Sequence, residues 1–199
     1  MRAPTIYFVR HGETEWNAAG RFQGWCDIPL NARGRAQAFR VGGILHDLMA
    51  RRDCDPARLS YVASPLGRAR ETMELMRAAL RLPPASYLAD ERLREIGYGE
   101  WEGLTVAEME VAHPEVFAAR KADKWQVAAP GGETYAAIAV RLKDWIASLT
   151  QDTVAVAHSG TARALMVALG VVPAASAGDL PVAQGAVYVF ADGGMTRHG

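Results

Sequence analysis

Phe8-Val9-Arg10-His11-Gly12-Glu13-Thr14-Glu15-Trp16-Asn17 is the stretch whose reading decides the fold. The apolar run from Thr5 to Val9 stops abruptly at an arginine, a histidine and a glycine. That pattern predicts a buried strand whose carboxyl end delivers a basic pair into a turn. In open α/β sheets, ligands bind in the crevice beyond the carboxyl ends of the strands. His11 stands at such a place, and Arg10 beside it suits an anionic group such as phosphate.

Working outward, Gly20 to Asn31 reads as a loop. Ala38, Val41, Leu45, Leu48 and Met49 then mark one face of a helix with Asn31 as its N-cap. Ser60 to Ala63 reads as a second strand ending at Ser64-Pro65. The helix after it carries Leu66, Ala69, Met73, Met76 and Leu80 on one face, before Pro83-Pro84. Ala85 to Tyr98 fits either a strand or an irregular segment through Leu88, Leu93 and Ile96. Thr105-Val106-Ala107-Glu108 has the form of a capping box opening a short helix that ends before Pro114.

Pro130-Gly131-Gly132-Glu133 precedes a helix whose apolar stripe is Tyr135, Ile138, Leu142, Trp145, Ile146 and Leu149. Thr153 to Ala157 is a third clear strand, running through His158-Ser159-Gly160 into another helix. Ala186 to Phe190 is read as the last strand. This alternation predicts an α/β fold of three layers, with a mainly parallel central sheet covered by helices on both faces. No linker or repeat divides the chain, so residues 1–199 are expected to form a single domain.

The chain has 199 residues, half of them hydrophobic, and a formal net charge of zero. No electrostatic case arises for nucleic acid or for an acidic membrane. Cys26 and Cys54 are too few for a disulfide framework, and neither belongs to a Cys-x-x-Cys pair. No secretory or membrane-spanning stretch is visible, and a cytoplasmic location is expected.

Three strand ends carry chemistry: Arg10-His11-Gly12, Ser64 leading to Arg68, and His158-Ser159-Gly160. In a parallel sheet these ends share one edge and can converge on one crevice. Two imidazoles and two guanidiniums there would make a cationic pocket for a phosphate dianion. The helix N-termini after Ser64 and His158 would add backbone N–H donors.

With those residues in place, the chain resembles the histidine phosphatase superfamily, the phosphoglycerate-mutase-like group, along nearly its whole length. The likeness rests on Arg10 to Thr14 with Asn17, and on Gly20 to Gly24 with Asp27, Pro29 and Leu30. It continues through Ser64, Leu66, Arg68, Ala69 and Thr72, then Glu95, Gly99 and Trp101-Glu102-Gly103. It closes with Pro130 to Glu133 and His158.

The resemblance implies that His11 is the nucleophile and forms a phosphohistidine, with Arg10, Arg68 and His158 around the phosphoryl group. A protonated His158 would join the arginines in lowering the pKa of His11. Glu95 would be the proton donor and then the base for water, although Glu91, Glu100 and Glu102 crowd it in sequence. Phosphate or substrate contacts are implied for Arg10, Asn17, Gln23, Gly24, Arg68, Tyr98 and Ser159. Neither a metal nor another cofactor is implied. Arg70 reads as solvated, and His46, His113 and His198 as surface or boundary residues.

Within this group the same pocket serves phosphatases and mutases. Mutases carry a longer segment between the acid and the Pro-Gly-Gly-Glu block, whereas Glu95 and Pro130 are only 35 positions apart here. The lysine of the mutases' Gly-Leu-Asn-Lys block is replaced by Val106. The resemblance therefore favours a phosphomonoesterase acting on a small phosphorylated metabolite, as a monomer or homodimer. The alternatives are a 2,3-bisphosphoglycerate-dependent phosphoglycerate mutase, for which Arg120, Lys121 and Lys124 offer a second anion site, and a non-catalytic phosphate-binding module.

Overall fold

The computed structural model describes residues 3–199. Strand β1, Ile6–Arg10, leads through His11 to a single turn of helix, α1, Glu15–Ala18. Helix α2, Ala32–Ala50, follows with Asn31 as its N-cap, the side chain accepting from the Gly34 amide at 2.8 Å. Strand β2, Ser60–Ala63, runs into helix α3, Gly67–Ala79. The segment that sequence reading left open is mostly irregular: a two-residue strand β3, Leu88–Ala89, then single 3-10 turns at Glu91–Leu93 and Gly99–Trp101.

Two short helices follow, α4, Val106–Ala112, opened by the expected Thr105/Glu108 capping box, and α5, Pro114–Ala122. Helix α6, Tyr135–Ala147, strand β4, Thr153–Ala157, helix α7, Ser159–Ala168, and a short α8, Ala174–Ala177, continue the chain. It ends in strands β5, Val187–Ala191, and β6, Gly194–His198.

The strand order is β3-β2-β4-β1-β5-β6. The first four run parallel, and β5 and β6 are antiparallel additions at one edge. The sheet has one strand, β6, beyond the last strand expected from sequence. That strand is joined through Asp192-Gly193, both at positive φ (51° and 75°), the backbone of a two-residue hairpin turn. Most residues of β6 are exposed, so its sequence carries no apolar alternation to announce it.

Side chains alternate across the sheet and divide the core in two. Tyr7, Val9, Val154, Val156, Val187 and Val189 pack against Val41, Leu45, Met73 and Met76 of α2 and α3. Ile6, Phe8, Ala155, Ala157, Tyr188 and Phe190 pack against Ile138, Leu142, Trp145 and Leu165 of α6 and α7. The expected three layers are therefore present. The outer ends of the α6 stripe, Ile146 and Leu149, are only half-buried. No helix among the described residues is long and apolar enough to cross a membrane.

Candidate active site

Strands β2, β4 and β1 are neighbours, so their carboxyl ends place Ser64, His158 and His11 side by side. His11 and His158 are buried, with ring centroids 5.1 Å apart. The Nδ1 of His11 lies 2.7 Å from the Gly12 carbonyl oxygen. A carbonyl can only accept, so Nδ1 carries the proton and the Nε2 lone pair is left free. The loop that fixes this ring is itself pinned, with the Gly12 amide donating to Thr72 Oγ1 at 3.0 Å.

His158 Nε2 is 2.7 Å from Ser64 Oγ, while its buried Nδ1 has no hydrogen-bond partner among the described residues. With the serine hydroxyl donating to Nε2, the neutral ring holds its proton on Nδ1, ready for an anion. Burial, then Arg68 and Arg10, hold His11 well below its ordinary pKa of 6.5. Burial, Arg68, His11 and Arg10 do the same to His158. Both rings are thus neutral near pH 7. Of the groups expected to depress His11, the two arginines do so as cations, and two adjacent guanidiniums in a desolvated crevice disfavour a third cation on His158.

Arg10 and Arg68 are the guanidiniums that bear on the two imidazoles. Arg10 Nη1 donates to the Val182 carbonyl at 2.7 Å. Arg68, 1% exposed, donates to the carbonyls of Cys26 and Gly24, each at 2.7 Å. In both arginines Nε is buried with no hydrogen-bond partner among the described residues. Arg70 faces solvent, as expected. The Asn17 amide oxygen accepts from Gln184 Nε2 at 2.9 Å, which leaves its amide nitrogen available as a donor. Gln23 is buried, its Oε1 accepting from Thr14 Oγ1 at 2.9 Å.

Arg10, His11, Asn17, Arg68, Glu95 and Arg163 are among the residues that line one cavity of about 240 Å³, as are Gln23, Gly24, Tyr98 and Ser159. Every site residue expected from sequence borders it except His158, which is fully buried beside His11. Glu95, alone among the four neighbouring glutamates, lies in its wall; Glu91, Glu100 and Glu102 do not. Its carboxylate accepts from the amides of Ile96 at 3.0 Å and of Gly160 and Thr161 at 3.1 Å.

The partners of these groups come from inside and outside the motifs that carry the resemblance. Arg141 braces the Glu95 segment through the Arg94 carbonyl at 2.6 Å, and Glu133 ties that arginine to the Gly97 amide. The Pro-Gly-Gly-Glu block thus acts by bracing rather than by lining the cavity. The Trp25 indole donates to the Glu95 carbonyl at 2.9 Å. Glu102 accepts from the amides of Trp25 and Tyr98 and from the Cys26 thiol, so it joins the loop holding Arg68 to the segment holding Glu95. Burial and Glu102 push the Cys26 thiol up, away from thiolate chemistry.

Two of the three cations expected to form a second anion site are already engaged. Arg120 is buried, donates to the Val127 carbonyl and lies 5.7 Å from the ring centroids of Tyr98 and Tyr135. Lys124 pairs with Asp179. Arg163, which sequence reading did not single out, borders the cavity instead.

In this open α/β sheet, imidazoles and arginines converge where the parallel strands end, an arrangement suited to a small anion. The chain belongs to the histidine phosphatase superfamily (branch 1), whose sequence profile it matches over residues 6–196. It is 32% identical to a glucosyl-3-phosphoglycerate phosphatase of Mycobacterium tuberculosis over 88% of this chain and 79% of that one. It is 30% identical to a 2,3-bisphosphoglycerate-dependent phosphoglycerate mutase of Gloeobacter violaceus over 82% and 74%. A crystal structure of a putative α-ribazole-5'-phosphate phosphatase from Escherichia coli superposes with a TM-score of 0.80 at 26% identity, covering 98% of this chain and 95% of that one. Relatives thus include both phosphatases and mutases.

Proposed function

We propose that this chain is a phosphomonoesterase that works through a phosphohistidine on Nε2 of His11. The observation that carries the reading is the pairing of a free Nε2 lone pair with a neighbouring ring whose Nδ1 is buried and unpartnered. One atom is set to attack phosphorus and the other to hold an oxygen.

In the first step His11 Nε2 forms a bond to phosphorus as the ester P–O bond breaks, and Glu95 gives its proton to the departing alkoxide. Arg10, Arg68, Asn17 and His158 Nδ1 hold the non-bridging oxygens. In the second step a water attacks phosphorus, Glu95 takes the water's proton, and the P–N bond breaks to release phosphate. The two guanidiniums supply the positive charge, so the scheme needs no metal.

Phosphatase is favoured over mutase by the short segment between Glu95 and Pro130 and by Val106 in place of the lysine of the mutases' Gly-Leu-Asn-Lys block. Release of p-nitrophenol from p-nitrophenyl phosphate, measured beside conversion of 3- to 2-phosphoglycerate, tests the reading. Turnover in the first assay with phosphate trapped on His11 is the expected result. Efficient isomerisation with negligible hydrolysis overturns it in favour of the mutase. The absence of any covalent label leaves only a phosphate-binding module.

A further inference from the structure

Strands β2 and β4 begin at the end of the sheet opposite to His11 and His158, and a separate cavity of about 520 Å³ opens there. Leu59, Tyr61, Arg77, Leu82, Tyr87 and Leu88 are among its walls. Among the described residues that line it, Arg77 is the one charged side chain. Its volume is that of a small-molecule site. The phosphate chemistry makes no use of it, since the two cavities have no lining residue in common.

Arg77 lies in the last turn of α3 and is only 5% exposed. Its Nε donates to the Pro83 carbonyl at 3.0 Å, and its Cζ stacks 4.2 Å from the centroid of the Tyr61 ring. One edge and one face of the guanidinium are thereby committed. Neither Nη has a hydrogen-bond partner among the described residues. Neither is sealed off either, unlike the Nε atoms of Arg10 and Arg68, so both open into the cavity.

Two N–H groups side by side on a free edge form the fork that a carboxylate grips with both oxygens. No carboxylate of the described residues fills it. Burial lowers the pKa of Arg77, and the neighbouring Tyr61 phenol, itself pushed up to about 12 by burial, stays neutral at pH 7. The cavity therefore carries one uncompensated positive charge, which matches a monoanion better than a phosphate dianion. Leu59, Leu82 and Leu88 give the remaining wall an apolar character suited to a carbon body.

We propose that this cavity is a binding site for a small organic acid, its carboxylate held end-on by the two Nη groups of Arg77 and its apolar body laid against Leu59, Leu82 and Leu88. The site stands apart from the phosphatase reading. It shares with the phosphate cavity only helix α3, which carries Arg68 in its first turn and Arg77 in its last.

Calorimetry with 4-phenylbutyrate and with 4-phenylbutyramide tests the proposal, in buffer containing enough inorganic phosphate to occupy the catalytic cavity. The acid is expected to bind with a dissociation constant of about 1 mM or below, the scale for a ligand of this size. The amide should bind at least about tenfold more weakly, the scale of a charge-assisted hydrogen bond. Backbone NMR shifts on adding the acid should centre on Leu82, Ser86, Tyr87 and Leu88. Arg77→Met should remove the advantage of the acid over the amide.

Leu88→Glu gives a second test that leaves the core untouched, because Leu88 is 67% exposed. A negative charge at the rim should weaken the acid about threefold or more and leave the amide unchanged. Equal affinities for acid and amide in the wild-type protein overturn the proposal, and that comparison needs no variant. So does an absence of binding at about 10 mM acid, ten times the expected constant. Shifts confined to the surroundings of His11, or an acid preference that survives in Arg77→Met, overturn it as well.

Discussion

Glu95 and Gly160 are locked together: the carboxylate accepts the Gly160 amide at 3.1 Å, and a Cβ on residue 160 would fall 2.5 Å from Glu95 Oε1. The proposed proton donor is therefore seated on the first turn of α7, against a backbone with no room for a side chain. Gly160→Ala should displace the carboxyl group while leaving the arginines in place. Turnover is expected to fall at least about tenfold, toward the 10²–10⁴-fold range for losing a general acid. Affinity for inorganic phosphate should change little. Equal losses in kcat and in phosphate affinity would instead indicate a general collapse of the site.

Glu95→Gln tests the role of the carboxyl group more directly. A glutamine offers one oxygen where the site supplies amide donors to both carboxylate oxygens. Some loss is thus structural, and the leaving group separates the two causes. An alkyl ester needs a proton on its departing oxygen, whereas p-nitrophenolate leaves without one. The variant should lose about 10²–10⁴-fold on alkyl esters and far less in the first step with p-nitrophenyl phosphate. Phosphohistidine should then accumulate, because the water also needs a base. Uniform loss across both ester types with no accumulating intermediate would remove Glu95 from acid–base duty.

Ser64→Ala removes the hydroxyl that holds Nε2 of His158. The buried ring would then have both nitrogens unpartnered, at a cost of about 1–3 kcal/mol in stability. It would also lose the bond that fixes its proton on Nδ1, so phosphate affinity should fall about tenfold. Chemical denaturation and phosphate titration on the same variant check both effects. Wild-type affinity in Ser64→Ala would mean that the serine does not set the tautomer.

Much of this arrangement was legible because it sits at strand ends. Arg10-His11-Gly12 and His158-Ser159-Gly160 each follow a short apolar run, and parallel pairing of β1 with β4 brings them together without further information. The capping residues Asn31 and Thr105 were equally plain, since their partners lie within one helical turn. What escaped were groups whose meaning comes from distant backbone. Arg163 and Arg141 are one arginine among many in the sequence. They acquire roles only once the carbonyls of Leu180 and Arg94 are folded against them. The charge state of His158 is open in the sequence, because burial decides it and burial is a property of the packed sheet.

That charge state yields a prediction whose sign can be worked out. Both active-site imidazoles have folded pKa values well below the ordinary 6.5, chiefly through burial and then through Arg68. Below about pH 6.5 the unfolded chain therefore binds protons that the folded chain refuses, and stability rises with pH there. The stability these neutral rings provide is fully present above about pH 6.5. It is lost as pH falls, by about 1.4 kcal/mol per pH unit for each ring until the folded values are reached. Urea unfolding between about pH 7.5 and 5.5 should show this slope, and NMR of the ring protons should show neither histidine titrating near 6.5. Bound phosphate reverses the electrostatics, since a dianion beside His158 Nδ1 favours its protonated form. Saturating phosphate should therefore flatten the slope as well as raise stability. A ring titrating near pH 6.5 in the free protein would contradict the neutral, preorganised nucleophile on which the proposed chemistry depends.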